Sequence, residues 1–364
     1  MKVLLKSLVF LIFLNLGVFA STTYKTQEIV SNLGVIWGMD FLDENRLILT
    51  QKNGKVFVLD LRTKALQNIK NIPKVFYRGQ GGLLDIKVSP NYKKDSWIYF
   101  TYSKNINNQG ATTLARAKLE NNSFVKHEDL LITKSNTSTT RHFGSRITFD
   151  KKGHLFFSVG DRGVRDTAQN LSNHAGTIIR LNLDGSIPKD NPFVNDKNAL
   201  DEIYSYGHRN PQGVFYDKKR DTFWAIEHGP RGGDEVNLIQ KGANYGWPVI
   251  SYGKEYWAPL DVGEGTHKKG MIQPAKYYIP SIAPSSLIIY DGDVYKELKG
   301  KLLAGALKLT HINILTVDSK NNIVKETRIL ENLNERIRNI VQSPNALIYF
   351  STDSGKILLL KPKF

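Results

Sequence analysis

Chemically capable side chains are concentrated in a few short segments that are rich in glycine. Residues 227–248, EHGPRGGDEVNLIQKGANYGWP, combine carboxylates, a Gly-Pro pair and a Tyr-Gly-Trp-Pro corner. Glycine and proline at this density predict turns rather than regular elements. Carboxylates, backbone carbonyl groups and a rigid aromatic corner so close together indicate a binding site, although this segment alone does not specify what it binds.

Further segments have the same character and contain a histidine, an aspartate and several arginines. They are RGQGGLLDIKVSPNY (78–92), RHFGSRITFD (141–150), VGDRG (159–163), IYSYGHRNPQGV (203–214), AGALK (304–308) and ERIRNIV (335–341). None is decisive alone, because an Arg-x-Arg pair can be one face of a strand and a lone histidine in a turn is usually structural. We expect His154 and His174 to be structural and His208 to shape its loop.

The rest of the chain repeats a pattern of strands that would have to position these segments. Each copy is an alternating strand, a polar turn with Asp, Asn or Gly, and a second strand rich in aromatic residues, a pattern typical of β-structure. The copies occupy 37–61, 82–103, 146–163 with its continuation at 176–185, 213–229, 286–307 and 337–362.

This repeat predicts an all-β fold, a six-bladed β-propeller with four-stranded antiparallel blades around a central channel. A β-sandwich or a pair of barrels is the alternative, and the strand pattern alone separates it poorly from a propeller. The repeat count favours the propeller, whose ring would close by pairing the two ends of the chain. Functional side chains from distant segments would then meet where the blade loops converge on the channel.

The beginning of the chain predicts export. Residues 1–20 have the pattern of a signal peptide, with Lys2 and Lys6 before an apolar core and Val18-Phe19-Ala20 as a cleavage pattern. An uncleaved membrane anchor is the alternative, but the apolar run is short for a spanning helix. We therefore expect residues 21–364 to form one exported propeller domain without stable membrane insertion, which is periplasmic if the host is Gram-negative.

Composition excludes several classes of site. The 364 residues contain no cysteine, so a disulfide framework, a zinc–thiolate site and a cysteine nucleophile are excluded. The formal net charge is +16, but the lysines are spread over turns along the whole chain, without a basic tail or helix. This distribution indicates a generally basic surface, and we expect no nucleic-acid partner.

Taken together, the segments resemble those of the soluble pyrroloquinoline quinone (PQQ)-dependent aldose sugar dehydrogenases, the glucose/sorbosone dehydrogenase family. The motif order matches from about Gly34 to the C-terminus, and GHRNPQG followed by EHGP, DEVNLI and NYGWP is its most specific part. The resemblance implies a catalytic propeller that oxidises aldose sugars at C1 to lactones, with PQQ and Ca²⁺ as cofactors.

The cofactor positions implied by the resemblance suit the chemistry of PQQ. PQQ is a planar ortho-quinone with three carboxylates, so its site needs cations with planar or forked geometry and a metal that polarises the quinone. The corresponding residues, from four different blades, are Gln80, Arg209, Asn210, Lys308, Arg336 and Arg338. Tyr256, in the weaker match GKEYWAP, would also line the cofactor.

The resemblance also gives the segment 227–248 a metal-binding role. In the family the Gly-Pro pair, here Gly229 and Pro230, supplies main-chain carbonyl groups to a calcium ion that also holds PQQ, in keeping with the preference of Ca²⁺ for oxygen ligands. A second, structural calcium would use Glu235 and Tyr245, the tyrosine through its carbonyl group. The alternatives are that Glu235 is an ordinary surface carboxylate and that Asp234 caps a turn.

For catalysis, the resemblance implies that His142 is the general base for the anomeric hydroxyl while hydride passes from C1 to C5 of PQQ. Asp161 would orient this histidine and stabilise its charged form. Arg209 would stabilise negative charge on the quinone oxygen. One position departs from the family's x-Gly-Gly-Arg pattern: Ser145 could narrow the pocket or demand a negative φ.

An exported aldose sugar dehydrogenase is therefore the leading hypothesis. Its electrons would pass to a small haem protein or a quinone, and the resemblance also implies homodimers for some members. A non-catalytic calcium-containing propeller that binds carbohydrate or protein is the alternative, because a fold does not prove a function. A calcium-dependent lactonase would instead need a central array of side-chain carboxylates, which the sequence does not contain.

Overall fold

The computed structural model describes residues 24–362, and these residues form six four-stranded antiparallel sheets arranged as a six-bladed β-propeller. The predicted fold is thus confirmed, and the sandwich and paired-barrel alternatives are wrong. The predicted signal peptide lies outside the described residues. Within residues 24–362, no helix is long and apolar enough to cross a membrane.

The described chain begins with a strand that belongs to the last blade, β1 (Thr26–Val30). Blade 1 contains β2 (Ile36–Phe41), β3 (Arg46–Gln51), β4 (Lys55–Asp60) and β5 (Leu66–Ile69). Blade 2 contains β6 (Leu83–Val88), β7 (Trp97–Ile106), β8 (Gln109–Glu120) and β9 (Ser123–Ile132), with α1 (Tyr92–Asp95) between its first two strands. Blade 3 contains β10 (Ile147–Phe149), β11 (His154–Val159), β12 (Thr177–Asn182) and β13 (Ile203–Tyr206).

The second half continues the same pattern. Blade 4 contains β14 (Pro211–Asp217), β15 (Thr222–Glu227), β16 (Asp234–Leu238) and β17 (Lys276–Tyr278). Blade 5 contains β18 (Pro284–Ile289), β19 (Leu302–Ala306), β20 (Ile312–Val317) and β21 (Ile323–Ile329). Blade 6 contains β22 (Ile337–Gln342), β23 (Ile348–Thr352) and β24 (Ile357–Leu360) and is completed by β1. Short 3₁₀ turns occur at Arg165–Gln169, Lys296–Leu298 and Glu331–Leu333.

The ring closes by pairing the two ends of the described chain, as the sequence predicts. Strand β1 pairs antiparallel with β24, and Thr26 lies opposite Leu360. Because this pairing supplies the fourth strand of blade 6, the closure leaves no three-stranded sheet in the described ring. Closure of this kind replaces the disulfides that a chain without cysteine lacks.

Hydrophobic cores fill the spaces between neighbouring blades. Tyr99 and Leu114 of blade 2, for example, pack with Phe157 and Ile179 of blade 3. Comparable clusters lie at the other five blade boundaries within residues 24–362. The alternating apolar residues of each strand therefore serve two adjacent interfaces, which explains why the strand pattern repeats.

The guanidinium group of Arg146, immediately before β10, joins all six blades at the centre of the channel. Its hydrogen bonds reach one residue in each of the other five blades: Trp37 O, Asp85 Oδ1, Gln212 O, Ser285 O and Arg338 O, at 2.8–3.1 Å. Its carbon Cζ lies 3.9 Å from the centre of the Trp37 ring. Burial lowers the pKa of Arg146 to about 10, while the Asp85 carboxylate favours its charged form. A positive charge thus closes the middle of the channel.

Candidate active site

The predicted catalytic and cofactor-binding residues, with Tyr256 as the exception, lie at one edge of the ring, in loops or, for Arg338, at the start of strand β22. Gln80, His142, Asn210 and Arg336 lie shortly before the innermost strands of their blades. Asp161, Gly229 and Lys308 each follow the second strand of a blade by two residues. Because these strands are antiparallel, the start of the first and the end of the second are at the same edge.

A cavity of about 320 Å³ opens at this edge and contains part of the predicted cofactor set. Gln80, Asn210, Arg336 and Arg338 line it. Aromatic side chains also border it, since Trp37 and Phe143 are among the lining residues. The structure therefore brings together side chains that lie far apart in the chain, from Gln80 to Arg338.

Positive charge dominates the wall formed by blades 1 and 6. Asp353 accepts hydrogen bonds from Nε of Arg336 (2.8 Å) and from Nε and Nη2 of Arg338 (2.7 and 2.8 Å). Lys52 also lines the cavity, and its pKa is lowered by burial and by the charge of Arg338. Asp353 is the only carboxylate among the described lining residues, so three cations face one anion. This imbalance suits a ligand with several carboxylates.

Lys52 and Asp353 were not identified from the sequence. Each follows a strand by one residue, Lys52 after β3 and Asp353 after β23, at the same edge as the predicted residues. Their position in the repeat is therefore the signal that could have found them. The pairing of Asp353 with the Arg-x-Arg segment depends on the register that places Ile337 opposite Thr352.

His142 and Asp161 form a buried pair beside this cavity. Nδ1 of His142 lies 2.6 Å from Oδ1 of Asp161, whose other oxygen accepts a hydrogen bond from Nε1 of Trp247 at 2.8 Å. The backbone N–H of His142 donates to Oε1 of Gln80 at 2.7 Å. His142 has a φ of 57°, a left-handed conformation that is costly for this residue and that such contacts hold in place.

The electrostatics of the pair favour a neutral imidazole. Burial lowers the pKa of His142, as do the charges of Arg209 and Arg141, while the contact with Asp161 opposes this effect. Burial opposes ionisation of Asp161, but the hydrogen bond with His142, the charge of Arg209 and the hydrogen bond from Gly163 N–H hold its pKa below the usual value. A carboxylate at Nδ1 places the ring proton on that nitrogen. The lone pair of the neutral ring is then on Nε2, where it can accept a proton.

Arg209 lies between this pair and the corner at 229–235. Its backbone carbonyl accepts from the N–H of Asp161 at 2.8 Å, and its own N–H donates to Oε2 of Glu227 at 2.7 Å. Its Nη1 donates to the carbonyl oxygen of His228 at 3.1 Å, while its buried Nε has no hydrogen-bond partner among the described residues. Arg209 therefore keeps donor capacity, which the predicted electrostatic role requires.

His228 is a further residue that the sequence did not single out. It lines the main cavity and also a smaller cavity at the 229–235 corner. Burial lowers its pKa to about 3, and its Nε2 lies 2.6 Å from the carbonyl oxygen of Pro284. His228 is thus a neutral donor to the backbone at the point where the two cavities meet. His208, by contrast, lies between Ser205 and Glu227, which agrees with a loop-shaping role.

The corner around Gly229 and Pro230 is closely packed. A Cβ atom at Gly229 would lie 2.1 Å from the carbonyl oxygen of Gly233, so only glycine fits there. Asp234 accepts from the N–H groups of Gly229 (2.9 Å) and Ala283 (2.8 Å), so this aspartate fixes the turn, as the alternative for Asp234 anticipated.

Glu235 has an environment that suits a cation better than an isolated carboxylate. It lines the smaller cavity with Glu227, Tyr245 and Gly229. Burial and the charge of Glu227 raise its pKa to about 8. Asn237 donates to both glutamates, at 3.0 and 3.2 Å, and its buried Oδ1 has no partner within residues 24–362. A hard cation between the two glutamates would relieve their repulsion, so these carboxylates fit calcium.

The predicted metal set contains a single acidic side chain, and the rest of it consists of Gly229, Pro230 and Tyr245. Such a set would not form a cluster of acidic side chains, and no group of three or more His, Cys, Asp or Glu side chains suited to a metal occurs in residues 24–362. The hydroxyl of Tyr245 is engaged elsewhere, since it donates to Leu238 O at 2.7 Å and accepts from Gln240 N at 2.8 Å.

Two predicted cofactor residues line neither cavity. Lys308 is exposed, although its neighbour Leu307 lines the main cavity. Tyr256 is 64% exposed and contributes to neither wall. Its segment lacks the regular strand pairing that fixes the other residues.

Ser145 neither narrows the cavity nor adopts a negative φ, so both expectations for this departure are wrong. The residue is fully buried with a φ of 89° and is not among the lining residues. Hydrogen bonds hold its backbone: its N–H donates to Ser158 O and its carbonyl accepts from Thr101 Oγ1, both at 2.7 Å. These hydrogen bonds hold Ser145 in a backbone conformation that glycine would favour. The conformation itself costs about 1 kcal/mol for a residue with a Cβ atom.

Comparisons with known proteins agree with this geometry. The sequence profile named "Glucose / Sorbosone dehydrogenase" matches residues 33–361. The chain is 33% identical over 351 residues to aldose sugar dehydrogenase YliI of Escherichia coli, with 94% of each chain covered. It is 29% identical over 265 residues to quinoprotein glucose dehydrogenase B of Acinetobacter calcoaceticus, covering 64% of this chain and 54% of the relative. The apo-form crystal structure of soluble aldose sugar dehydrogenase from Escherichia coli superposes with a TM-score of 0.90 at 32% identity, covering 94% of this chain and all of that one.

Proposed function

Because the chain belongs to the glucose/sorbosone dehydrogenase family, we propose that it is a PQQ- and calcium-dependent enzyme that oxidises aldose sugars at C1 to lactones. The observation that carries the proposal is the juxtaposition of a cavity with three cations around Asp353 and a buried His142–Asp161 pair. A non-catalytic binding protein could use the cations or the 229–235 corner to hold a ligand. It would not require a neutral histidine oriented by a carboxylate.

The cavity residues fit PQQ by charge and shape. Arg336, Arg338 and Lys52 would hold its carboxylates, and Asn210 and Gln80 would supply polar contacts. Trp37 and Phe143 give the cavity apolar surface for a planar ring system. PQQ, when bound, would supply the two-electron acceptor that takes the hydride from C1 of the sugar. Lys308 and Tyr256 belong to this proposal only if their side chains turn towards the bound cofactor.

The 229–235 corner would hold calcium through oxygen ligands. Gly229 and Pro230 would contribute carbonyl groups to the ion beside the cofactor, where a divalent cation acts as a Lewis acid. Glu235 and Tyr245 would serve a second, structural ion. The raised pKa of Glu235 supports this assignment, because a bound cation would remove the cause of the shift.

His142 would act as the general base. Its Nδ1–H donates to Asp161, so Nε2 can take the proton of the anomeric hydroxyl as the C1–H bond breaks. Asp161, held by Trp247 and by the N–H of Gly163 at 2.7 Å, then stabilises the imidazolium. Arg209, whose Nε has no hydrogen-bond partner within residues 24–362, would stabilise negative charge that develops beside it. Loss of this proton and a hydride converts the hemiacetal carbon into the carbonyl carbon of a lactone.

Reconstitution tests the proposal directly. The protein lacking residues 1–20 is stripped of metal and then mixed with PQQ, calcium or both, while dye reduction by a panel of aldoses and the cofactor absorbance are followed. Sugar-dependent dye reduction that requires both additions is the expected result. Absence of PQQ uptake would refute the enzyme and favour the non-catalytic propeller.

We also propose that the protein is exported and passes its electrons to a small haem protein or a quinone. The signal pattern of residues 1–20 supports export, and the net charge, which is +16 for the full chain and +14 once Lys2 and Lys6 are removed with that segment, would favour an acidic carrier. Fractionation of the host tests the first point. Salt-dependent reduction of an acidic cytochrome by the reconstituted enzyme tests the second.

A further inference from the structure

An exposed aromatic tip lies in the segment 254–261, KEYWAPLD, which lines neither cavity of the proposed site. Trp257 is 75% exposed, Tyr256 64% and Leu260 54%. Scattered exposed apolar residues are ordinary, but three within five positions of one loop are an unusual concentration, of the kind found at binding sites.

The 254–261 loop is braced at its base, which fixes where the loop leaves the blade. Lys254 and Arg231 exchange backbone hydrogen bonds at 3.0 and 3.2 Å, and Glu255 N donates to Leu260 O at 2.8 Å. Both oxygens of Glu255 accept from the guanidinium of Arg165, at 2.5 and 2.8 Å. A bidentate pair of this kind restricts orientation as well as distance.

These braces place the loop beside the catalytic pair. Val262, directly after the loop, is buried in a cluster with Trp247, whose Nε1 donates to Asp161. The guanidinium of Arg165 lies 5.5 Å from the centre of the Trp247 ring. Glu255, Asp161 and Tyr256 all raise the pKa of Arg165, which means that the loop and the catalytic carboxylate surround the same cation.

The chemistry and size of the tip favour a sugar as its occupant. Indole rings present a rigid apolar face that packs against the C–H face of a pyranose, at little cost in side-chain entropy. A stable protein interface needs about 800 Å² from each partner, far more than a tip of three side chains offers. The charged groups at its base, Arg165 with Glu255 and Lys254 with Asp261, already pair with one another. Little charge is thus left to steer a macromolecule there.

We infer that Trp257 forms a platform for the glycosyl unit next to the reacting one, so that oligosaccharides with a free anomeric carbon are preferred substrates. This inference rests on the proposed function. The reacting sugar would lie against His142, and the following unit would extend past Trp247 to the 254–261 loop. Tyr256 and Leu260 border the platform.

The test compares a monosaccharide with a disaccharide in the full enzyme loaded with PQQ and calcium. In Trp257→Ala, kcat/KM for cellobiose should fall about tenfold through KM, as loss of a tryptophan contact of about 1.4 kcal/mol predicts, while glucose changes less than twofold. Trp257→Phe should retain most of the cellobiose preference. Val324→Ala, which shortens another exposed apolar side chain (59%) on β21, is the matched control and should leave both sugars unchanged.

Equal losses for both sugars, or none, would overturn the platform. A raised KM for the dye, or a change in sedimentation of Trp257→Ala, would instead assign the loop to a protein contact. If the wild-type protein turns over no sugar, the proposed function fails separately. Quenching of tryptophan fluorescence by cellotriose in the unloaded protein then decides the inference: quenching lost in Trp257→Ala supports it, and equal quenching in both proteins refutes it.

Discussion

Replacing Asp161 with asparagine tests the assigned base most sharply, because it removes the negative charge beside the His142 ring. Oδ2 of Asp161 accepts from Nε1 of Trp247, and Oδ1 accepts from both Nδ1 of His142 and the N–H of Gly163, so an amide satisfies only one of these two sides. With the amide oxygen towards Trp247, Nδ1 of His142 must accept from the NH₂ group, the ring proton moves to Nε2, and the lone pair that would take the sugar proton is lost. With the amide oxygen towards His142, the tautomer is kept, but the charge that stabilises the imidazolium is lost.

The size of the effect follows from the role. Loss of a correctly oriented general base costs about 10²–10⁴ in rate, equivalent to roughly 3–5 kcal/mol of barrier. We expect kcat of Asp161→Asn to fall within that range, with unchanged PQQ uptake, since Asp161 does not line the cofactor cavity. Stopped-flow dye reduction and cofactor absorbance measure the two quantities.

The pH profile gives a second readout with a definite sign. His142 works in its neutral form, so activity rises with pH through its pKa. Asp161 favours the imidazolium, so its removal should lower the pKa of His142 further and move the acid limb of kcat to lower pH. Asp166→Asn, the same change at an exposed position in the same loop, is the control. Near-normal kcat, or an acid limb that stays in place, would refute the assigned roles.

Three further predictions concern the cavity, Arg146 at the centre of the channel and the 229–235 corner. Arg338→Met should weaken PQQ binding about 10- to 100-fold in absorbance titrations, because a charge-assisted hydrogen bond contributes about 1.5–3 kcal/mol. Arg328→Met, the same change at an exposed position, is the control. If Arg338→Met binds PQQ as tightly as the wild-type protein does, Arg338 does not hold the ligand. Arg146→Met should lower the free energy of unfolding, measured in urea, by about 3–5 kcal/mol or more, because it leaves the buried Asp85 carboxylate without its charge partner. A decrease no greater than that of the exposed Arg62→Met would contradict the central role of Arg146. In the metal-free protein, the raised pKa of Glu235 contributes stability that is present below about pH 4.5 and is lost as pH rises through about 8. Thermal unfolding should therefore show Tm falling over this range, and calcium should restore it; Glu235→Gln should remove most of the dependence, and an identical pH profile in that variant would refute the assignment.

Much of the fold was accessible from the sequence because propeller blades are local. Each blade is built from strands adjacent in the chain, so alternation and turns in 37–61 or 337–362 report directly on blades 1 and 6. Ring closure was also predictable, since the last blade needs a fourth strand and only the N-terminal segment can supply it. The site motifs were recognisable because glycine-rich turns are local features as well.

The contacts that make the site work could not be obtained in this way. Asp353 pairs with Arg338 across one register, and Trp247 reaches Asp161 from a segment 86 residues away. The segment RHFGSR predicted no role for Arg146, although its guanidinium group forms hydrogen bonds with the five other blades. The positive φ of Ser145 went against expectation, because the hydrogen bonds that its N–H donates to Ser158 O and its carbonyl accepts from Thr101 Oγ1 outweigh the intrinsic preference of serine.

The sequence by itself therefore determined the repeat, the family and the chemical types available at the channel. Only the tertiary structure decided which side chains face the cavity, which of them neutralise one another, and which proton His142 carries. The physical reason is that hydrophobic alternation and turn propensity act over a few residues, whereas burial, charge pairing and hydrogen-bond geometry depend on neighbours from other blades. Lys52, Asp353 and Trp247 acquire their roles only when the ring is closed.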